Sequence, residues 1–302
     1  MGLAFQLDFT SAERVRAQLT SQQEKDIRNL YRRIVRNINK EAKKLPNTTS
    51  GVLRAMYLSK LKGQINEQLT ALGADLEKMV RSNMESAADA VVMDNLSFLQ
   101  YVDMPLQGAF SHVSRDVIES IITGRLYQGN WSLSKTIWKH TQKAQKDINT
   151  IIAEGIAQNK STYDIAKDLE KYVNPSAKKD WAWSKVYPGT NKVVDYNAQR
   201  LARTMVSHAY QQAFVRTTKP NPFVTKYRWL ASNSNRVCEL CNSRDGVLFE
   251  KDDLPMDHPN GMCTFTAVID QPMTDIADRI ADWALGQPDP ELDAFAQFLQ
   301  NS

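Results

Sequence analysis

The chain has 302 residues, 42% of them apolar, and a formal net charge of only +4 at pH 7. This length suggests about two domains with real hydrophobic cores, and the small net charge does not mark the whole chain as a polyanion-binding protein. No run approaches the roughly 18 continuous apolar residues of a membrane span, and the N-terminal segment lacks a signal-peptide pattern, so the sequence predicts neither feature.

Charge is distributed unevenly along the chain. Residues 11–44 contain ten Lys or Arg against four Asp or Glu, a net charge of +6, whereas residues 270–302 contain one Arg against seven acidic residues, a net charge of −6. Solvated faces of surface helices explain both runs most simply. The alternative hypothesis is that the basic segment is a docking arm.

The first half of the sequence has the pattern of helices. Apolar residues at spacings of three, four and seven predict a helix over residues 11–44, and a basic group lies beside them, at Arg28, Arg32, Arg33, Arg36 and Lys40. The pattern then predicts two helices separated at Gly73, over residues 52–72 and 74–93. An irregular segment over residues 94–108 and a further helix over residues 111–126 follow.

The next segment has the pattern of a helical hairpin. Ser132 or Ser134 can cap a first helix, and Ser161 begins a shorter second one. Ile-Ala after a polar turn is also typical of a helix-turn-helix DNA reader. A plain hairpin is the favoured interpretation, because the second helix places acidic side chains where phosphate would lie, at Asp164, Asp168 and Glu170.

A loop over residues 176–192 follows, in which lysines are interleaved with aromatic residues. Trp181, Trp183 and Tyr187 suit either stacking on single-stranded nucleic acid or insertion into a protein groove. The protein interface or core is the favoured interpretation, because Trp and Tyr are the usual interface anchors.

The pattern changes from helix to strand in the C-terminal third. A helix is predicted over residues 194–216, and His208 within it is expected to satisfy a buried backbone group. Alternation of apolar and polar residues then predicts three short strands, over residues 224–230, 246–250 and 263–269. A sheet of this size has too small a core to be secure alone, so a metal staple would have a clear physical role.

All three cysteines lie in this strand region, with one of the four histidines. Cys238 and Cys241 can bind one tetrahedral ion from a tight turn, and His258 and Cys263 arrive from a distant segment to complete four ligands. Four protein ligands leave no open position, so the site is predicted to be structural zinc. Three clustered cysteines fit a reducing compartment, and a Cys238–Cys241 disulfide is the alternative.

Enzymatic alternatives lack essential residues. A zinc deaminase needs His-x-Glu upstream of its cysteine pair, a thioredoxin-like centre needs a strand–helix setting, and a Ser-His-Asp hydrolase needs a nucleophile elbow. Asp257-His258 followed by Pro and Asn is similar to an HNH nuclease motif, but no further histidine follows His258. The sequence therefore predicts no catalytic residue.

Five short motifs occur in a linked order: Asn197-x-x-Arg200-x-x-Arg203-Thr204, Trp229, Asn235-Arg236-Val237-Cys238-x-x-Cys241, Asp245-Gly246 and His258-Pro259-Asn260-x-x-Cys263. This pattern resembles the phage Mu F-like minor head proteins of tailed bacteriophages, most clearly over residues 194–268. Many members of that family read His-Pro-x-Cys-x-Cys. Gly261 stands here at the first cysteine of that pair, so His258 must serve if the site has four ligands.

The resemblance implies a non-enzymatic virion component near the portal, linked to head morphogenesis and to DNA packaging or delivery. It implies assembly in the host cytoplasm and a place in the capsid interior or portal region. The expected partners are portal or capsid proteins, and packaged DNA through the basic helix of residues 11–44. A general nucleic-acid-binding zinc module and an HNH-like nuclease remain as alternatives.

The architecture predicted on these grounds is mainly α, with helical N-terminal and middle regions. A small C-terminal α+β zinc-knuckle module of short antiparallel strands follows them. We expect a helical region over residues 1–126 and a helical hairpin with a Trp-rich loop over residues 127–193. The Mu F-like module over residues 194–269 and an acidic tail over residues 270–302 follow.

Overall fold

The structure is a computed structural model that describes residues 5–6, 9–101, 110–127, 132–173, 194–232 and 237–301. The predicted aromatic loop with Trp181, Trp183 and Tyr187 lies outside these ranges. The elements in chain order are β1 (Phe5–Gln6), α1 (Thr10–Ala42), α2 (Gly51–Tyr101), α3 (Val113–Ile122), α4 (Leu133–Ala157), α5 (Thr162–Val173), α6 (Val194–Thr218), β2 (Lys226–Leu230), α7 (Glu239–Arg244), β3 (Leu248–Glu250), β4 (Thr264–Ile269), α8 (Met273–Ala284) and α9 (Pro290–Asn301).

The predicted fold class is confirmed, because helices dominate and the strands form one small antiparallel sheet. Three strands of this sheet are the predicted ones, and the two-residue β1 is an addition that the alternation pattern was too short to predict. Within the described ranges, no helix is both long enough and apolar enough to cross a membrane.

The predicted helix break at Gly73 is wrong, because α2 runs without interruption from Gly51 to Tyr101. Gly73 is buried, and a Cβ atom at this position would lie 3.3 Å from Oγ1 of Thr141 and 3.5 Å from Cγ2 of Ile137. The missing side chain therefore lets α2 approach α4 closely. The helix tolerates the roughly 1 kcal/mol cost of an internal glycine because packing determines this position.

Contacts divide the chain into two compact units whose segments alternate along the sequence. The first, here called the sheet unit, contains Met1–Thr20, Arg81–Tyr127 and Arg203–Ser302. The second, here called the helical unit, contains Ser21–Val80 and Gln128–Ala202. The long helices α1, α2 and α6 supply residues to both units, so neither unit is a continuous stretch of sequence.

The sheet unit is built on a four-stranded antiparallel sheet in the order β1-β4-β2-β3. Alternate residues of β2 point into the core, where Tyr227 and Trp229 are fully buried. Phe214 of α6 contacts Tyr227 at a ring separation of 5.3 Å, and Trp229 meets Phe265 of β4 edge-on at 4.9 Å. The first contact packs α6 against the sheet, and the second packs the neighbouring strands β2 and β4 against each other.

The helical unit contains the predicted hairpin as α4 and α5. Ser132 is the N-cap of α4, and its side chain accepts the backbone N–H of Lys135. Gly155 permits the close approach of the two helices, because a Cβ there would lie 2.6 Å from Cγ1 of Ile165. Lys160 pairs with the buried carboxylate of Asp168 at 2.8 Å, so this acidic residue belongs to the hairpin's own packing.

The predicted acidic tail folds as the two helices α8 and α9. Arg279 of α8 donates from Nε and Nη2 to both carboxylate oxygens of Asp289, at 2.6 and 2.9 Å. Asp289 also accepts the backbone N–H groups of Glu291 and Leu292, and Pro290 follows it as the first residue of α9. Asp289 therefore caps α9 and joins it to α8 through a bidentate ion pair.

Replacing Asp289 by alanine is expected to lower the stability of the sheet unit by about 1–2 kcal/mol, because it removes an N-cap and an ion pair. The Arg279 guanidinium lowers the pKa of the Asp289 carboxyl to about 2, from about 3.9 in an unfolded chain. Because the folded pKa is the lower one, this stabilisation is complete above about pH 4 and is lost as the pH falls toward 2.

Thermal unfolding followed by circular dichroism at several pH values measures this difference. Asp278 is the matched control, because it is an exposed carboxylate on α8 that carries the same charge. An Asp278→Ala variant as destabilised at pH 7 as Asp289→Ala would contradict a role of the cap and the ion pair.

Candidate metal centre

Two of the predicted ligands lie at the start of the short helix α7. Cys238 is its N-cap, and its Sγ accepts the backbone N–H of Cys241 at 3.4 Å. This hydrogen bond is the first cause of a lowered pKa of the Cys238 thiol, and nearby His258 adds to it. Cys241 is buried, which raises the pKa of its thiol above the ordinary value. All three cysteines are free thiols in the structure.

The other two predicted ligands lie on the segment that connects β3 to β4. His258 places its Nε2 atom 3.3 Å from Sγ of Cys238. Tetrahedral zinc bound to sulfur and imidazole nitrogen holds these atoms about 3.5 Å apart, so this spacing fits a shared ion. Cys263 is buried at the end of the same segment, directly before β4.

The ligand atoms form two overlapping groups among the described residues. Cys238, Cys241 and His258 lie within 4.8 Å of one another, and so do Cys241, Asp257 and Cys263. The thiol of Cys241 belongs to both groups. Each group thus combines Cys241 with other predicted ligands, and the second group adds a carboxylate that the spacing did not predict.

The imidazole of His258 is oriented for binding through Nε2. Its Nδ1 atom lies 3.0 Å from the carbonyl oxygen of Pro259, which can only accept, so Nδ1 carries the proton. The lone pair of Nε2 then faces Cys238, as in metal sites where a backbone carbonyl fixes the histidine tautomer. The same carbonyl contact is the first cause of the raised pKa of His258.

Asp257 holds the ligand segment in shape. Its carboxylate accepts the backbone N–H of His258 at 2.8 Å and that of Cys263 at 3.1 Å, and the side chain is buried. Both oxygens are therefore engaged with the backbone of two ligand residues, which makes Asp257 a positioning residue. In the sequence, Asp257 stood out only as part of the HNH-like Asp257-His258 pair, which did not predict this positioning role.

The same carboxylate explains the glycine at position 261. A Cβ atom on Gly261 would lie 2.2 Å from the carboxylate carbon and from both oxygens of Asp257. Real Cβ atoms do not approach other atoms this closely, so the two positions are complementary in shape. A cysteine at this position, as in many proteins of the family named above, is incompatible with Asp257 as it is placed here.

One face of α6 supports the ligand segment through polar side chains. Thr204 Oγ1 accepts the backbone N–H of Asn260 at 2.8 Å, and Ser207 Oγ donates to the carbonyl of Gly261 at 3.0 Å. The side-chain amide of Gln211 makes two hydrogen bonds: its oxygen accepts the backbone N–H of Asp257, and its nitrogen donates to the carbonyl of Pro255. In the sequence, this supporting face of α6 is marked by polar residues that recur at spacings of three and four within a buried helix.

His208 lies on the same face of α6 and is buried, as expected from the sequence. Its Nε2 donates to the carbonyl of Asp257 at 3.1 Å, and its Nδ1 accepts the hydroxyl of Tyr127 at 2.6 Å. Burial lowers the pKa of His208, which keeps this tautomer neutral. The histidine therefore satisfies a backbone group and is not one of the clustered ligands.

Two arginines complete the support of the ligand segment. Arg203 donates to the side chain of Asn260, a residue held at a positive φ of 70° that asparagine tolerates better than most residues. Arg16 of α1 donates to the carbonyls of Met262 and Cys263 at 3.0 and 2.8 Å and stacks on the ring of Tyr210. The segment is thus fixed by backbone contacts on both sides of the ligands.

Several motifs of the linked sequence pattern meet in this structure. Arg203 and Thr204 both bond to Asn260. Gly246, which has a positive φ of 73°, donates its backbone N–H to the carbonyl of Trp229 at 2.9 Å. Asp245 accepts the N–H of Ala231 at 2.8 Å and so connects α7 to the strand that carries Trp229. Motifs far apart in the sequence therefore build one module.

Residues 146–266 match the family model described as phage Mu protein F like protein. This part of the chain is Mu F-like. The match covers α5, α6, the strands β2 and β3 and all four predicted ligand residues, and it indicates a phage head protein. The resemblance predicted from the sequence is thereby confirmed over this Mu F-like region. No curated protein and no solved structure matches the chain.

Proposed function

We propose that the chain is a minor head protein of a tailed bacteriophage, a non-enzymatic virion component that associates with the portal. The observation that carries this proposal is the match of residues 146–266 to the Mu F-like family, which spans the whole ligand cluster. Within the particle, it would act in head morphogenesis and in packaging or delivery of DNA, in the capsid interior or at the portal.

Mass spectrometry of purified particles, combined with cross-linking, tests this assignment. We expect the chain in DNA-filled heads, cross-linked to portal or capsid subunits. Particles assembled without it should contain normal major capsid protein but package or deliver less DNA. Absence of the chain from purified heads, or full infectivity of particles that lack it, would overturn the assignment.

We further propose that Cys238, Cys241, His258 and Cys263 bind one structural zinc ion. Three thiols and one imidazole are the donor set that zinc prefers, and the buried thiol of Cys241 joins the two groups of ligand atoms. Four protein ligands would leave no coordination position for an activated water, which fits a non-enzymatic protein of a viral assembly. The bound ion would fasten α7 to the segment before β4.

The helical unit carries a basic stripe on the exposed face of α1. Five exposed side chains repeat at intervals of three or four residues along this face, at Lys25, Arg28, Arg32, Arg36 and Lys40, and Lys43 directly after the helix extends the stripe to about 27 Å. Arg33 lies beside this stripe and is ion-paired with Asp75 of α2, and Arg28 within the stripe lies 3.8 Å from Glu24. We propose that the stripe docks on an acidic face of a portal or capsid subunit, because arginine is enriched in protein interfaces.

Neutralising the stripe by replacing Arg28, Arg32 and Arg36 with glutamine is expected to weaken binding to purified portal by at least about tenfold at low salt. The reason is that electrostatic steering and interface pairing both depend on these charges. Binding measured by biolayer interferometry at two salt concentrations checks the result.

An Arg33→Gln variant is the control, because it removes a charge of the same type from outside the stripe. Unchanged portal affinity in the triple variant would contradict docking through the stripe. Loss of affinity for DNA, with portal binding intact, would assign the stripe to packaged DNA instead.

A further inference from the structure

The exposed face of α4 carries a second basic surface that the charge pattern of the whole chain did not reveal. Three exposed lysines lie on it at spacings of four and three residues, here called the lysine row: Lys139, Lys143 and Lys146. These spacings place the three ammonium groups on one helix face, with neighbouring Cβ atoms about 5–6 Å apart.

The charge of the lysine row is not neutralised by the protein. Within the part of the chain that the structure describes, no carboxylate lies within 4.0 Å of these ammonium groups. The one acidic residue between positions 133 and 150 is Asp147, which is buried and accepts the hydroxyl of Tyr172 at 2.9 Å. Burial and the nearby charge of Lys143 also lower the pKa of His140, as expected for a locally positive potential.

Neutral hydrogen-bonding side chains fill the space between the lysines. The row lines a shallow groove of about 850 Å³ together with three amides and a hydroxyl, from Gln142, Gln145, Asn149 and Thr150, and with the buried Asp147. Lysines bind phosphate as point charges, and amide and hydroxyl side chains are common donors to phosphate oxygens. This composition matches a nucleic-acid backbone.

An acidic protein is the less suitable partner for this surface. Protein interfaces are depleted in lysine and are anchored by arginine and buried aromatic residues, whereas the row contains neither. The exposed Trp138 does not line this groove but an adjacent depression beside α2, which shares Gln142 and Gln145 with the groove. Carboxylate recognition would also favour the planar fork of arginine over the lysine ammonium group.

We propose that the lysine row binds the phosphate backbone of double-stranded DNA without sequence preference. This inference deepens the proposed function, because it rests on a head protein meeting the genome that the head contains. No base-reading element is required, since the three charges and the interleaved amides contact only phosphate. Binding should therefore be strongly salt-dependent and equal for unrelated sequences.

The test uses the full chain and a 30-base-pair duplex of mixed sequence, with binding followed by fluorescence anisotropy from about 50 to 300 mM salt. We expect replacement of Lys139, Lys143 and Lys146 by glutamine to reduce affinity at least about tenfold at 100 mM salt. The slope of log affinity against log salt should fall in magnitude by about 2–3, because three phosphate contacts are lost.

The matched control replaces three exposed lysines elsewhere by glutamine, at Lys60, Lys78 and Lys171. Both variants lose the same net charge at surface positions of helices, and circular dichroism verifies that both fold. An equal loss of DNA affinity in the control, or no DNA binding by the wild-type chain at 50 mM salt, would overturn the inference.

A second probe separates DNA from an acidic protein. Polyglutamate of matched charge should bind more weakly than the duplex, and polyglutamate binding equal to DNA binding would overturn the assignment to DNA. Loss of duplex binding only in the lysine-row variant would support the surface even if the chain were absent from purified heads. The surface and the proposed virion role can therefore fail separately.

Discussion

Replacing Cys241 by serine is expected to reduce the zinc content from about one equivalent per chain to almost none. Its thiol belongs to both groups of clustered ligand atoms, so its loss leaves neither group complete. Because a structural ion contributes directly to folding, the thermal midpoint of the sheet unit should fall by at least about 5 °C. Elemental analysis and calorimetry of freshly reduced protein measure the two effects.

A Ser243→Ala variant on the exposed side of the same short helix is the control for the cysteine substitution. It should retain both zinc and stability. A strong chelator should lower the midpoint of the wild-type chain and have no effect on Cys241→Ser. Less than about half an equivalent of zinc in the fresh, reduced wild-type chain would contradict the four-ligand site.

Replacing Gly261 by alanine is expected to destabilise the sheet unit by about 3 kcal/mol or more. The added methyl group would lie 2.2 Å from the buried carboxylate of Asp257, which is held by the N–H groups of His258 and Cys263. Relief of the clash requires Asp257 to move, which leaves buried backbone donors unpaired. Denaturant unfolding measures the loss, and zinc content should fall with it.

A double-mutant cycle isolates the cause of this loss. The Gly261→Ala substitution should cost less in an Asp257→Ala background, by about 1–3 kcal/mol, because the clashing carboxylate is gone. Gly63→Ala is the control, since a Cβ there meets nothing within 4 Å and alanine favours a helix. Strict additivity of the two substitutions would contradict the proposed complementarity of positions 257 and 261.

The cysteine cluster shows how far spacing alone can predict a site. A cysteine pair separated by two residues must lie on one turn, and the second pair ends at the first residue of a predicted strand. These local constraints account for the prediction of Cys238, Cys241, His258 and Cys263 as ligands, which the structure places in two groups that share Cys241. The Mu F-like resemblance also came from the sequence and is confirmed over residues 146–266.

The helices were predicted well wherever periodicity governed them, as in α1, α4 and α6. The prediction failed at Gly73, because local propensity favours a break there while packing against Thr141 and Ile137 keeps the helix continuous. No short window of sequence contains that contact. In the acidic tail, the solvated-face interpretation fits exposed residues such as Asp278, whereas the bidentate pair of Arg279 and Asp289 is a tertiary contact that the charge pattern did not predict.

Composition and spacing by themselves determined the ligand types, the helical class, the strands around the ligands and the basic face of α1. Only the tertiary structure decided that Asp257 organises the ligand segment, that Gly261 gives room for its carboxylate, and that a polar face of α6 supports both. The physical reason is that burial and hydrogen-bond geometry are set by how the ligand segment folds back on itself and by its contacts with α6, which lies 44–56 positions away in the sequence. A buried, fully bonded aspartate has the same letter in the sequence as a solvated one.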